Sequence, residues 1–221
     1  MNKKIALTLA ITLGILAIVI FLMYQYFPKV WGDIVYPMEY DSYIVKYSKE
    51  YNLDPSLVSA VIYAESRFNS DSISRAGARG LMQIMPATGR TISERLGESD
   101  FSVDKLLDPE TNIRYGCWYL NYLFGNYPDN QNAVLAGYNG GGAVGDRYLV
   151  SRDAGIPAET SGYIVTVNNA QEIYKQLYGD KLSTSVTAEN IAERMQIQKE
   201  KEETFYDKII NNIRSLLSLK K

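Results

Sequence analysis

The sequence contains no histidine and a single cysteine. The first absence excludes Ser-His-Asp and Cys-His catalysis and any histidine-ligated zinc. The second excludes an internal disulfide and a cysteine-rich metal cluster. An excess of one charge is missing too: 23 Lys+Arg stand against 25 Asp+Glu in 221 residues, a net charge of −2. That leaves no overall basic field to hold a nucleic-acid backbone. Sustained period-two alternation is also lacking, so the fold class expected is all-α. Chemistry falls to carboxylates, hydroxyls, amides, Lys/Arg and aromatics. Tyrosine is plentiful, with 18 copies, and a sugar or peptide groove could use it.

One long apolar run is present. From Ile5 to Met23 the chain carries no charge for about 19 residues, and at ~1.5 Å per residue a helix there spans roughly 28 Å, close to a bilayer core. Tyr24, Tyr26 and Trp31 follow like an interfacial aromatic belt. Residues 5–24 are therefore expected to form a single N-terminal transmembrane helix behind a short cytoplasmic start at residues 1–4. Lys3 and Lys4 favour a cytoplasmic N-terminus, so the chain is expected to be single-pass in a cell membrane with its bulk extracytoplasmic. A cleaved secretory signal is the competing reading, although the exit Met-Tyr-Gln-Tyr-Phe-Pro offers no small-x-small cleavage pair. Residues 25–39, with two prolines and no periodicity, read as a juxtamembrane spacer.

Residues 40–179 read as one helical domain. Helical signals start near Asp41. Asp54-Pro55 is an N-cap followed by proline at the first helical position, and opens a helix to about Phe68. Pro86 opens another, ended by Gly97. Asp108-Pro109-Glu110 repeats the N-cap signal and starts a helix through Phe124, with Ile113, Cys117 and Leu120 in its apolar stripe. Cys117 thereby reads as a buried small side chain. A helix over Asn132–Tyr138 is expected to be broken by the run NGGGAVG, and a last helix covers Glu159–Tyr178. The tail, residues 180–221, is charged and then amphipathic, with Phe205, Ile209, Ile213, Leu216 and Leu217 at helical spacing. That stripe suits packing on the chain itself, on a partner protein or on a membrane surface.

One carboxylate stands out. Val58, Val61, Glu65 and Phe68 fall at steps of three and four, on one helical face. Glu65 there would be desolvated, which raises its pKa and keeps it protonated near neutral pH, the state a general acid needs. The alternative is an ion pair with Arg67, Arg75, Arg79 or Arg114, which would lower the pKa and serve structure alone.

Glu65 also opens the run ESRFNSDSISRAGARGLMQIMPATG, with Glu65-Ser66, Phe68-Asn69, Ser74, Gly77-Ala78 and Gly80 through Pro86. This run resembles the signature of the soluble-lytic-transglycosylase family, which has a goose-type lysozyme-like fold. Asn112-Ile113-Arg114-Tyr115-Gly116 is similar to the family's second helix start. Leu135 through Gly141 is similar to its Ala-Tyr-Asn motif, and Glu159-Thr160 with Tyr163 to its Glu-Thr-x-x-Tyr motif. Gly137 departs from the usual alanine, and the glycines after Asn139 lack the proline often found there.

The resemblance implies cleavage of the β-1,4 bond between N-acetylmuramic acid and N-acetylglucosamine in peptidoglycan glycan strands, with no metal or organic cofactor and no nucleic-acid partner. Glu65 would protonate the glycosidic oxygen and then, as a base, take the C6 hydroxyl proton while a 1,6-anhydro ring closes. Ser74 and Gln83 would bond substrate or orient the glutamate, with Met85 as a groove wall. Tyr138 and Tyr163 would bring hydroxyls toward Glu65, and Asn139 would fix a loop or a sugar amide. Packing is the ordinary alternative for Met85 and Tyr163. Of the tyrosines at 115, 119, 122 and 127, half are expected to pack and the others to stack on sugars. Glu159 is the sole acid within the other motifs, and a helix start explains it more simply. A lysozyme-like hydrolase and a silent glycan-binding scaffold are the competing readings.

Overall fold

The structure is a computed structural model that describes residues 12–21, 35–183 and 196. The chain divides into two units, Met1–Met38 and Glu39–Lys221. In the first, residues 12–21 are helical, with Leu13, Ile15, Ile18 and Phe21 exposed. Among the described residues no helix is long and apolar enough to cross a membrane. The remainder of the expected anchor lies outside the described residues, as does nearly all of the C-terminal tail.

Among its described residues the second unit is built of helices and loops, with isolated bridges at Ile73–Arg79 and Arg79–Ile84. Its helices are α1 Asp41–Glu50, α2 Pro55–Ser66, α3 Pro86–Arg95, α4 Pro109–Asn126, α5 Gln131–Gly140, α6 Gly142–Ser151 and α7 Ala158–Tyr178, with 3-10 turns at Val103–Leu107 and Arg152–Gly155. The starts follow local chemistry. Asp54 accepts from the backbone N–H of Ser56, and Asp108 from that of Thr111, each ahead of a proline at the first helical position. Asn130 likewise accepts from Ala133 N, so α5 begins one residue before its expected start.

The core is built around α2, which packs along α7 and also against α1. Leu57 through Ile62 are all buried, Ser59 included. A helix apolar on every side belongs in the middle of a domain. The expected one-sided stripe is therefore corrected in one respect: Phe68 is not on the helix. Arg67 and Phe68 both adopt left-handed backbone, with φ of 52° and 65°, so the chain leaves α2 sharply. Phe68 is still buried, its ring 6.0 Å from that of Tyr174 on α7.

A second correction concerns the glycine run after Asn139. It breaks one helix and starts another, α6, which the sequence reading lacked. The break is a single residue, Gly141 at φ 83°. The neighbouring glycines give close approach. A Cβ on Gly140 would sit 2.8 Å from Val144, and one on Gly145 would sit 2.6 Å from the Tyr127 hydroxyl. That hydroxyl shares its one proton between the Gly142 carbonyl at 2.9 Å and the Asp146 carboxylate at 3.0 Å. Cys117 is buried as expected, and burial pushes its thiol pKa up.

Candidate active site

Glu65 lies in the last turn of α2, where the helix leaves the core. Two contacts fix this turn. The Ser66 hydroxyl reaches Ile62 O at 3.2 Å and, across to the following loop, Leu81 O at 2.8 Å. The carboxyl itself is half-buried. Burial raises its pKa from 4.5 to about 7, against a smaller lowering from the Tyr163 hydroxyl. Among the described residues no arginine supplies the compensating charge. Arg67 donates to the Tyr63 hydroxyl at 3.0 Å, Arg79 pairs with Asp104 at 3.0 Å, and Arg114 pairs with Glu98. Arg75 is exposed and has no ion pair among the described residues. The ion-pair reading of Glu65 is thus excluded, and the carboxyl is shaped to hold a proton.

The loop from Ser72 to Met85 folds back beside Glu65. Its first turn is closed by Ser74 N–H to Ala78 O at 2.9 Å, with the Ser74 hydroxyl accepting from Ala78 N at 3.0 Å. Gly77 at φ 89° makes that turn possible. Gly80, at φ 76°, passes directly under Asn112; a Cβ there would meet Leu106 O at 2.2 Å and Asn112 Nδ2 at 2.4 Å. Gln83 sits at φ 47° and donates its amide to Ser72 O at 3.1 Å and Gly80 O at 2.9 Å. Both Nε2 protons are spent inside the loop, which leaves the amide oxygen as the free end. Met85 is 41% exposed at the start of α3, whereas Met82 is fully buried.

Two tyrosines arrive from other helices. Tyr138 on α5 donates its hydroxyl to Met82 O at 2.8 Å and so ties α5 to the loop. Tyr163 on α7 has a buried hydroxyl without a partner of good hydrogen-bond geometry. Burial first, and then the nearby Glu65 charge, hold both phenols well above their usual pKa. Both are therefore proton-bearing hydroxyls next to Glu65. Asn139 is exposed, and its side-chain oxygen accepts from Thr160 at 2.8 Å, joining the end of α5 to the start of α7. Glu159 is exposed in the first turn of α7. Among the described residues no second carboxylate acts on Glu65, and no acidic or thiol cluster could hold a metal.

The sequence reading missed Asn112 as a site residue. It is fully buried in the first turn of α4. Its Nδ2 donates to Arg79 O at 2.9 Å and Leu106 O at 2.7 Å, while its Oδ1 accepts from Met82 N at 2.7 Å. One turn on, Gly116 clears room for Met82, whose Sδ would be 2.1 Å from a Cβ there. The available signal was this pair, a polar residue and a glycine four apart on one helical face. Of the four tyrosines, Tyr115 and Tyr127 are buried, Tyr119 is half-buried and Tyr122 is 52% exposed.

A pH profile should expose this arrangement. An acid with a pKa of about 7 is protonated below that value and lost above it, so kcat/KM should fall roughly tenfold per pH unit on the alkaline side of pH 7. Rates from pH 4.5 to 9 on soluble fragments of the glycan that the family resemblance implies check this. A profile that keeps rising through pH 8 would contradict a protonated Glu65.

Comparison with known proteins agrees with the geometry. The model of the transglycosylase SLT domain matches residues 42–155, just over half of the chain. The soluble lytic murein transglycosylase of Salmonella typhimurium is 32% identical over 168 residues, covering 69% of this chain and 26% of that protein. The membrane-bound lytic murein transglycosylase C of Serratia proteamaculans is 34% identical over 161 residues, 59% of this chain and 45% of that one. The crystal structure of the 70 kDa soluble lytic transglycosylase of Escherichia coli superposes with a TM-score of 0.62 at 30% identity, covering 73% of this chain and 28% of that one. This chain thus spans about a quarter of the length of the soluble relatives it matches. With its domain model matched and the same helical fold found in a solved relative, the chain belongs to the transglycosylase SLT domain family.

Proposed function

We propose that this protein is a peptidoglycan lytic transglycosylase in which Glu65 acts first as acid and then as base. The observation that carries the reading is a half-buried carboxyl with its pKa raised to about 7, facing neither a guanidinium nor a second carboxylate. A two-carboxylate glycosidase needs a partner acid at a set separation. A lone acid fits a route in which the substrate supplies the rest. The Glu65 proton passes to the glycosidic oxygen as its bond to C1 breaks, and the sugar's N-acetyl carbonyl stabilises the cationic centre. The Glu65 carboxylate then takes the proton of the C6 hydroxyl while that oxygen bonds to C1. No water is consumed, and Glu65 ends protonated as it began.

The surrounding side chains have matching roles. Tyr163 presents an un-ionised hydroxyl toward the charge that Glu65 acquires midway, while Tyr138 spends its proton on Met82 O and holds the loop beside it. Ser74 accepts one bond from the loop and keeps its own proton to donate to substrate. Gln83 offers its amide oxygen, Met85 forms an apolar wall, and Asn139 holds the α5–α7 corner against the sugar. The apolar run at residues 5–24, with Lys3 and Lys4 before it, would anchor the chain in a cell membrane with this domain outside. A relative named as membrane-bound supports that placement.

The products decide the reaction. Peptidoglycan digested with the full chain in detergent should yield fragments whose ends are lighter by one water and resist borohydride. Reducible ends would make the protein a lysozyme-like hydrolase. No release from folded protein would leave a glycan-binding scaffold.

A further inference from the structure

The helices that carry the site are also joined away from it, by side-chain amides that the chemistry above leaves unused. Gln131, in the first turn of α5, donates its Nε2 protons to α7, to Asn168 Oδ1 at 2.9 Å and to Gln171 Oε1 at 2.8 Å. Gln171 in turn donates its Nε2 to Asp54 Oδ2 at 3.1 Å, on the residue that caps the start of α2. On the other side Asn168 Nδ2 donates to Asn132 Oδ1 at 2.9 Å, and Asn132 Nδ2 to the Tyr148 hydroxyl of α6 at 3.1 Å. The run from Gln131 through Gln171 thus ends on a carboxylate, an order in which each bond strengthens the next. Burial alone would raise the Asp54 pKa, but bonds from Ser56 and Gln171 and the Lys175 charge hold it below its ordinary value. That end of the ladder stays ionised at neutral pH.

The ladder supplies what apolar packing does not. Ile164, Val167, Ala170 and Tyr174 of α7 are buried, and their contacts are non-directional. Hydrogen bonds weaken steeply with distance and angle, so they select one position of a helix along its neighbour. Gln171 is only 6% exposed, and fixing register is the best-attested use of a buried polar side chain. It follows Tyr163 by eight positions, about 12 Å along the axis of α7. Helix α7 therefore meets α2 at both ends, through Gln171 at the Asp54 cap and through Tyr163 at Glu65. The second contact is the sensitive one. The buried Tyr163 hydroxyl acts on Glu65 without good hydrogen-bond geometry, so a small axial shift of α7 decides whether that bond is made. Among the described residues, the titratable groups that act with Glu65 are Tyr163 from α7 and Tyr138 from α5, and Tyr138 is tied to Met82 O.

We propose that Gln171 is a positioning residue for the catalytic acid: held between Gln131 and Asp54, it fixes α7 along α2 so that the Tyr163 hydroxyl stands at Glu65. The consequence for the reaction rests on the catalytic reading above.

Gln171→Met keeps the length of the side chain and removes both of its ladder bonds. The Tyr163 bond lowers the Glu65 pKa, so its loss raises that pKa and moves the alkaline limb of kcat/KM to higher pH. With the full chain in detergent, the limb should move up by about half a pH unit, the size one weak hydrogen bond implies. Tyr163→Phe should move it equally, and Gln171→Met should add nothing in a Tyr163→Phe background. Thermal melts read the same group without activity. The gap between each chain and its Glu65→Gln counterpart should keep widening to a correspondingly higher pH before it levels off. A Gln171→Met chain that melts lower but keeps the native pH profile overturns the proposal, because the ladder then serves stability alone. A shift that adds in full to that of Tyr163→Phe overturns it too. Should Gln171→Met fail to fold, Gln131→Ala cuts the same ladder at a half-buried position, and an unmoved limb there is equally fatal. Native chain that cleaves no glycan defeats the catalytic reading, and the melts then decide the placing of Tyr163 by themselves.

Discussion

Glu65→Gln should lower glycan release by about 10³-fold or more while leaving the fold intact. Glutamine keeps the size and the hydrogen-bonding reach of the side chain but has no proton to deliver to a leaving oxygen. No other described group is placed to replace it, since burial makes Tyr138 and Tyr163 hold their protons too tightly to give them to a leaving oxygen and no second carboxylate among the described residues acts at the site. Stability should move the opposite way from activity, increasingly so as pH climbs from 4.5 to 7. The folded-state pKa of Glu65 is about 7 against 4.5 for the free side chain, so the folded protein holds a proton that the unfolded chain releases. Below pH 4.5 both states are protonated and the site costs nothing in that respect. As pH rises from 4.5 through 7 the native state loses relative stability, and above 7 the full cost of the buried charge is present. That cost is about 2 kcal/mol once solvent screening at this half-buried position is allowed for. Glutamine carries no charge at any pH. The variant's thermal midpoint should match the native one at pH 5 and exceed it by roughly 5 °C at pH 8. Muropeptide release and thermal melts at the two pH values test both halves. Full activity in the variant would remove Glu65 from the mechanism, and equal midpoints at pH 8 would remove the desolvation argument.

How much of this was legible beforehand depended on whether the determining chemistry was local. Asp54-Pro55 and Asp108-Pro109 announce α2 and α4 because cap and proline act within one turn, and the structure shows both caps bonded. Glu65 was legible as an acid among apolar neighbours. Its isolation from Arg67, Arg79 and Arg114 was not, because each arginine finds a partner set by tertiary packing. Phe68 was placed on the wrong element for a related reason. Helical spacing continues through it, but two consecutive left-handed residues end the helix at Ser66. Helix α6 was lost because glycine reads as a breaker by propensity. Here three of the glycines serve a tight corner in which α5 and α6 nearly touch, and that packing outweighs their poor helix propensity. The same corner carries Tyr138 and Asn139, so the missed helix supports part of the site.

Asn112→Ala should be the most damaging substitution outside the catalytic glutamate. The side chain makes three buried hydrogen bonds, two as donor to Arg79 O and Leu106 O and one as acceptor from Met82 N. Truncation leaves Leu106 O and Met82 N–H without their partner, while Arg79 O keeps its bond from Ile84 N at 3.0 Å, a loss of about 2 kcal/mol or more. The damage also reaches the chemistry. Leu81 O receives Ser66 from the Glu65 turn, and Met82 O receives Tyr138, so a loosened segment from Arg79 to Gln83 releases both walls of the site. Activity measured well below the melting range should therefore drop further than the folded fraction does. Should the alanine variant fail to fold, Asn112→Asp separates the roles. An ionised aspartate can still accept from Met82 N but sets a negative oxygen against the two carbonyls that Asn112 serves as donor. The protonated acid can donate to one of them. The aspartate's folded pKa is then raised, so stability should be greatest in acid and fall as pH climbs through it. Melts of native protein and Asn112→Asp between pH 4 and 8 should diverge with increasing pH. Parallel curves would mean that the loop is held by Gly80, Gly116 and their packing, and that the three hydrogen bonds are incidental to it.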